Sequence, residues 1–269
     1  MRSLMEIGSR MSAAGDQALA LKLLWAAATS GFWADRENEL SEQIVVVAEG
    51  LPVDEDDPWL LAVLTYAAPI DRGGVVVDRV SRIAPDPTEP DAMWLLSAAA
   101  ATVGAFNLAE VFAAASVAGL REQGRLGALA QALVLRAWSE IHIGRWDVAM
   151  PDAQEADRLA QETGQPIWGG GAKVALSILA GLRGEEDVAE ALAVRAEQAG
   201  LQFGARAVLR SCSSRAVSRR LVPAARRRVC AAPAHVQSER SGLPSDGVLL
   251  GDRQPCRSRG SQRPPGRCP

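Results

Sequence analysis

The sequence predicts an all-α fold of antiparallel helix pairs over residues 1–205, and three observations predict it. From about residue 16 to 205, apolar residues recur at helical spacings, Ala and Leu dominate, and strand-like alternation is scarce. Three short segments share one pattern: VGAFNLA (103–109), HIGRWDVA (142–149) and RGEEDVA (183–189). Their glycines, Gly104, Gly144 and Gly184, stand forty positions apart, twice over. The composition then breaks near residue 210. Residues 1–210 hold 17 Lys and Arg against 29 Asp and Glu, whereas residues 211–269 hold 12 Arg, no Lys and 3 acids. All seven Trp precede residue 169, and all four Cys follow residue 211.

Taken in order, the helical segments are DQALALKLLWAAATSGFW (16–33), PWLLAVLTYAAPI (58–70), DAMWLLSAAAATVG (91–104), NLAEVFAAASVAGLREQG (107–124), LGALAQALVLRAWSEIHIG (126–144), WDVAMPDAQEADRLAQETG (146–164) and KVALSILAGLRG (173–184). Gly or Pro punctuates the chain between them at short, fairly even intervals. That suits helices of roughly four turns joined by short loops, about five pairs in all. The short apolar run GGVVVDRV (73–80) is compatible with a strand, but its setting between helical patterns favours a helix. AGDQALA, with Gly15 and Ala20, reads as an earlier, out-of-phase copy of the repeated turn.

Periodicity extends beyond the glycines. Small residues fall seven before, five after and twelve after each one: Ser97, Ala109 and Ser116 around Gly104; Ala137, Ala149 and Ala156 around Gly144; Ser177, Ala189 and Ala196 around Gly184. Small side chains let two antiparallel helices approach closely, and glycine adopts the left-handed conformation that ends the first helix. Two positions after the glycine stand Phe106 and Trp146, expected to fill the gap at the turn, with Glu186 in the third copy. The structural residues of the repeat are therefore Gly104, Phe106, Ala109, Gly144, Trp146, Ala149, Gly184 and Ala189.

Over residues 90–200 this pattern resembles the tetratricopeptide (TPR) repeat, departing from it in repeat length, forty against the family's usual 34. The resemblance implies a TPR-like α-solenoid of antiparallel helix pairs, followed here by a disordered C-terminal tail. A closer resemblance covers residues 16–209. ALALKLLWAAATSGFWAD, AAPIDRGGVVVDRVSRIAPD and REQGRLGALAQALVLRAWSEIHIGRWDVAMPDAQEADRLAQETGQPIW are similar to the helical-repeat region of large ATP-dependent LuxR-type transcriptional regulators of actinobacteria. In that family an ATPase module precedes the repeats and a DNA-reading helix-turn-helix follows them. The resemblance implies a sensor and protein-interaction segment in which the repeats receive an inducer or partner and relieve inhibition of the ATPase. The alternative is a free-standing TPR scaffold that binds a protein partner.

Residues 206–269 are rich in Arg, Pro and Ser, and three readings apply to them. A basic nucleic-acid arm would use arginine against phosphates, but from residue 211 onward there is neither Lys nor an aromatic residue for stacking. A disordered linker is allowed by the composition. The favoured reading is a frameshift: Arg, Pro, Ser, Gly, Ala and Cys without Lys is what a GC-rich gene gives out of frame. Synonymous codons exist for which residues 211–224 and 226–269, each read one nucleotide out of frame, give helical-repeat sequence. Its glycines fall near positions 224 and 264, so the series begun at Gly104 would run on in the same phase.

Catalytic chemistry is not predicted, and the chain is read as a non-enzyme with no cofactor and no metal. GGGAKVAL (169–176) has the glycines and Lys173 of a phosphate loop at the wrong spacing, and reads as a loop entering a helix. The cysteines Cys212, Cys230, Cys256 and Cys268 form no CxxC pair. His142 reads as a helix-end residue, and His235 falls in the tail. VDEDDPW (53–59) reads as a solvated loop and N-cap. Of the tryptophans, most are expected in the core and one or two in a groove that takes a protein or small effector. No membrane span or signal peptide is evident, so the expected compartment is the cytoplasm. Direct DNA binding is not expected, and an uncapped solenoid end is expected to favour self-association.

Overall fold

In the computed structural model, residues 7, 8, 10–12, 14–34 and 39–202 are described. From residue 17 onward they form helices joined by turns, with no strand among the described residues. The helices are α1 (Gln17–Ala34), α2 (Glu39–Glu49), α3 (Pro58–Ala67), α4 (Gly73–Val80), α5 (Pro90–Thr102), α6 (Phe106–Glu122), α7 (Leu126–Ile143), α8 (Trp146–Glu162), α9 (Pro166–Arg183) and α10 (Glu186–Gln202). The fold is thus all-α over this span, and GGVVVDRV is a helix whose Val76 and Val80 are fully buried. The tail assigned to residues 206–269, with its readings as linker, arm or frameshift product, lies outside the described residues, as do the four cysteines and His235.

Local chemistry sets the boundaries. Pro58, Pro90 and Pro166 open α3, α5 and α9, where a missing N–H leaves no intrahelical bond unmade. The acidic run VDEDDPW is the N-cap of α3: Asp57 accepts hydrogen bonds from the backbone N–H of Trp59 at 2.8 Å and of Leu60 at 3.2 Å. From α5 to α9, each helix ends in the same way. The residue after the turn glycine donates its N–H to the carbonyl five residues back: Ala105 to Ala100, Arg125 to Leu120, Arg145 to Glu140, Gln165 to Ala160 and Glu185 to Ala180, at 2.8 to 3.1 Å. The glycine between must take positive φ, 84° at Gly144, which L side chains adopt at a penalty.

Those glycines reveal a finer period than the sequence pattern gave. Gly104, Gly124, Gly144, Gly164 and Gly184 all have positive φ, so the turn recurs at half the spacing of the sequence repeat, which is two helices long. Successive helices from α4 to α10 pack against one another, and the odd-numbered helices also touch: α1 with α3, α3 with α5, α5 with α7, α7 with α9. A large core runs from Ala20 in α1 to Phe112 in α6. Beyond it the apolar contacts divide into smaller groups between α6, α7, α8 and α9, with Val174 and Ala196 meeting between α9 and α10. No helix among the described residues is long and apolar enough to cross a membrane.

Candidate functional site

The small residues of the repeat lie where two helices of a pair meet. Ala109 and Ala149 are fully buried and Ala189 is buried, opposite Ser97, Ala137 and Ser177. The serines have a defined use: Ser97 Oγ donates to the Ala109 carbonyl at 2.9 Å and Ser177 Oγ to the Ala189 carbonyl at 2.7 Å. Position minus seven therefore reads the backbone of position plus five across the pair. In the middle copy Ala137 packs with Ala149 in one apolar group. Ser116 turns elsewhere, donating to the Pro90 carbonyl at 2.9 Å.

The aromatic positions behave differently from the gap-filling role expected of them. Trp146 is 38% exposed and its indole N–H reaches the Ile141 carbonyl at 3.3 Å, capping the end of α7. Phe106 stacks on the His142 ring of the next pair, with centroids 4.0 Å apart and planes at 19°. Backbone hydrogen bonds common to all five turns close them, with no atom within 4 Å of a Cβ built at Gly104 or Gly144. An aromatic there is free to serve the neighbouring pair, and Glu186 can replace it without leaving a hole. His142 stands in the last turn of α7, Nδ1 at 2.8 Å from the Trp138 carbonyl oxygen, as a helix-end residue would.

Four tryptophans converge on the odd-numbered helices. Trp59 of α3 meets Trp25 of α1 edge to face at 5.6 Å, Trp25 meets Trp94 of α5 at 6.0 Å, and Trp94 meets Trp168 of α9 at 6.1 Å. Trp94 and Trp168 pack on the same apolar group as Ala128 of α7, the helix between them. The four rings are half-buried, and the Lys22 ammonium sits 5.6 Å from the Trp59 ring. The indole N–H groups of Trp25 and Trp94 are buried without a hydrogen-bond partner. Among the described residues these four form the largest set of aromatic rings in mutual contact.

GGGAKVAL is accounted for by packing. Its glycines lie inside α9, each against a different helix: a Cβ at Gly169 would stand 3.6 Å from that of Ala160 in α8, one at Gly170 3.2 Å from that of Ala199 in α10, and one at Gly171 3.2 Å from Val134 Cγ1 in α7. Lys173 is half-buried and paired with Asp157. Among the described residues, no cluster of three or more His, Cys, Asp or Glu could hold a metal ion.

Sequence reading missed a buried charged cluster between α6, α7 and α8. Glu140 has no exposed surface, and neither carboxylate oxygen has a hydrogen-bond partner. Arg145, in the turn, places Nε 3.1 Å from Glu140 Oε2 and Nη1 3.6 Å from Glu110 Oε2. Arg136 Nε lies 3.4 Å from Asp152 Oδ2, and Asp152 is buried too. Burial pushes the Glu140 carboxyl up to about 7, Arg145 opposing and Glu110 adding to the rise. Burial likewise raises Asp152, against the pull of Arg136. The signal lay in the repeat itself: counted from the glycines, Arg136, Glu140 and Asp152 stand where the first copy has Leu96, Ala100 and Phe112 and the third has Leu176, Ala180 and Leu192.

No protein-family model, curated protein or solved structure matches the chain.

Proposed function

We infer that the chain is a TPR-like α-solenoid and serves as the sensor and protein-interaction segment of a LuxR-type transcriptional regulator, acting by binding in the cytoplasm and not by catalysis. One observation carries the solenoid reading: five successive, evenly spaced turns share one hydrogen-bond pattern, so helix follows helix in a constant register. The regulator reading rests on the resemblance of residues 16–209 to the helical region of that family. The tryptophan strip of Trp25, Trp59, Trp94 and Trp168 is the surface that would take the effector or partner side chain. Sequencing the nucleotides flanking this gene tests the assignment. An ATPase module upstream and a helix-turn-helix in the shifted frame downstream support it; an intact, isolated frame overturns it in favour of a free-standing scaffold.

Self-association belongs to the same reading. At one register position Phe112 is 1% and Asp152 7% exposed. Its equivalent in α10, Leu192, lines a cleft of about 380 Å³ with Val188, which is 50% exposed, and Ala191. Sedimentation over rising protein concentration should show association that Leu192→Glu abolishes. A monomer at all concentrations removes the proposal.

A further inference from the structure

We propose that Glu140, Glu110 and Arg145 form a proton-operated latch at the junction of two helix pairs, closed when Glu140 carries a proton and loosened when it does not. This goes beyond the binding role and stands or falls separately from it.

The copies of the repeat differ at this junction. The first copy builds it with Leu96, Ala100 and Phe112, three buried apolar side chains, so packing alone does not call for charge. The middle copy replaces all three with Arg136, Glu140 and Asp152. A charge withdrawn from water is unfavourable unless well paired, and Glu140 is poorly paired: it has no exposed surface and no formed hydrogen bond. Its one close cation, Arg145, is 49% exposed and shared with Glu110. The groups that bear on the cluster are Glu110 and Arg121 from α6, Arg136 from α7, Arg145 from the turn, and Asp152 and Glu155 from α8, where Arg121 is already paired with Glu155 and Arg136 with Asp152. One guanidinium therefore faces two carboxylates. A proton on Glu140 removes the surplus charge and supplies a donor toward Glu110; its release to solvent restores two like charges across the boundary of α6 and α7.

The sign follows from linkage. The folded form holds the proton up to about pH 7, while the unfolded chain releases it near the ordinary glutamate value of 4.5. The proton's stabilisation is fully present below that unfolded value and lost as pH rises through 7, so the folding constant falls roughly tenfold per pH unit within that window.

The test compares chemical denaturation of the full chain and of its Glu140→Gln variant at pH 5, 6, 7 and 8. Glutamine keeps the shape without the titration, and every other titratable group is common to both proteins. The variant is expected to gain on the parent as pH rises, by roughly a hundredfold in folding constant between pH 5 and 8. Parallel profiles overturn the latch. Should Glu140→Gln not fold, carboxyl carbon resonances of the parent labelled at glutamate decide the matter. One glutamate titrating near 7, and falling in Glu110→Gln, supports it, and none titrating above 6 overturns it.

Discussion

Residues 90–202 and residues 17–89 solve the same packing problem in different ways. From α5 to α10, helices of similar length alternate with turns of one design, and the buried contacts are made largely by alanine and serine. From α1 to α4 the helices shorten from 18 to 11, 10 and 8 residues, and the core they share is filled by Leu21, Leu24, Ile44, Leu61, Leu64 and the Tyr66 ring. A constant turn fixes the approach of each helix to its neighbour, so small side chains suffice to bring backbones together. Where helix length varies, that regularity is lost and large side chains must occupy uneven space. The two regions meet where α3 and α4 pack on α5 and where the loop before α5 lies on α6.

At that seam one glycine is held tightly against backbone. A Cβ at Gly119 would lie 2.1 Å from the Pro87 carbonyl oxygen and 3.1 Å from Pro90 Cβ, so Gly119→Ala must move backbone. Denaturant unfolding should show a loss of about 3 kcal/mol, and a loss under about 1 kcal/mol would show that loop and helix are not in contact. Within the regular region Gly144→Ala meets no steric obstacle and suffers only its positive φ, a loss of about 1–2 kcal/mol. Gly144→Asn should recover part of it, since asparagine tolerates that conformation. In the irregular region the sign reverses. Gly74 lies in the first turn of α4 with nothing within 4 Å of a built Cβ, so Gly74→Ala should stabilise by about 0.5 kcal/mol. A thermal melt of both alanine variants side by side checks the contrast.

The same contrast explains what could be read from sequence. Helix content, the Asp57 cap and the glycine turns were legible because each depends on residues within a few positions of one another. The shorter, one-helix period was half-hidden: Gly124 and Gly164 sit in turns of the same hydrogen-bond pattern, yet two positions on they carry Leu126 and Pro166 where Gly104 and Gly144 have Phe106 and Trp146. The aromatic positions were misjudged because Phe106 meets His142 of the next pair, a contact set by how pairs stack and not by the turn itself. The tryptophan strip escaped for the same reason, since Trp94 and Trp168 are joined only by the placement of α5, α7 and α9. Glu140 stands one turn from a helix end, where a carboxylate is ordinarily exposed; its burial follows from register, which aligning the three copies column by column exposes.

Register itself has a finer test, one in which little should change. If the three pairs are equivalent, a hydroxyl introduced at position 137 finds the Ala149 carbonyl waiting, as Ser97 finds that of Ala109 and Ser177 that of Ala189. Ala137 is fully buried, so a serine without a partner there would cost about 1–3 kcal/mol. With the partner in place, Ala137→Ser should fall within about 0.5 kcal/mol of the parent, and Ser97→Ala should lose about 1 kcal/mol by the same bond removed. A double change, Ala137→Ser with Ser97→Ala, should be additive, because the bonds lie in different pairs with no shared partner. A loss of about 2 kcal/mol for Ala137→Ser alone, the cost of an unpartnered buried hydroxyl, would mean that α7 and α8 are displaced along one another relative to the other pairs. The charged residues at 136, 140 and 152 would then be the cause, having forced the middle pair out of the register its alanines still mark.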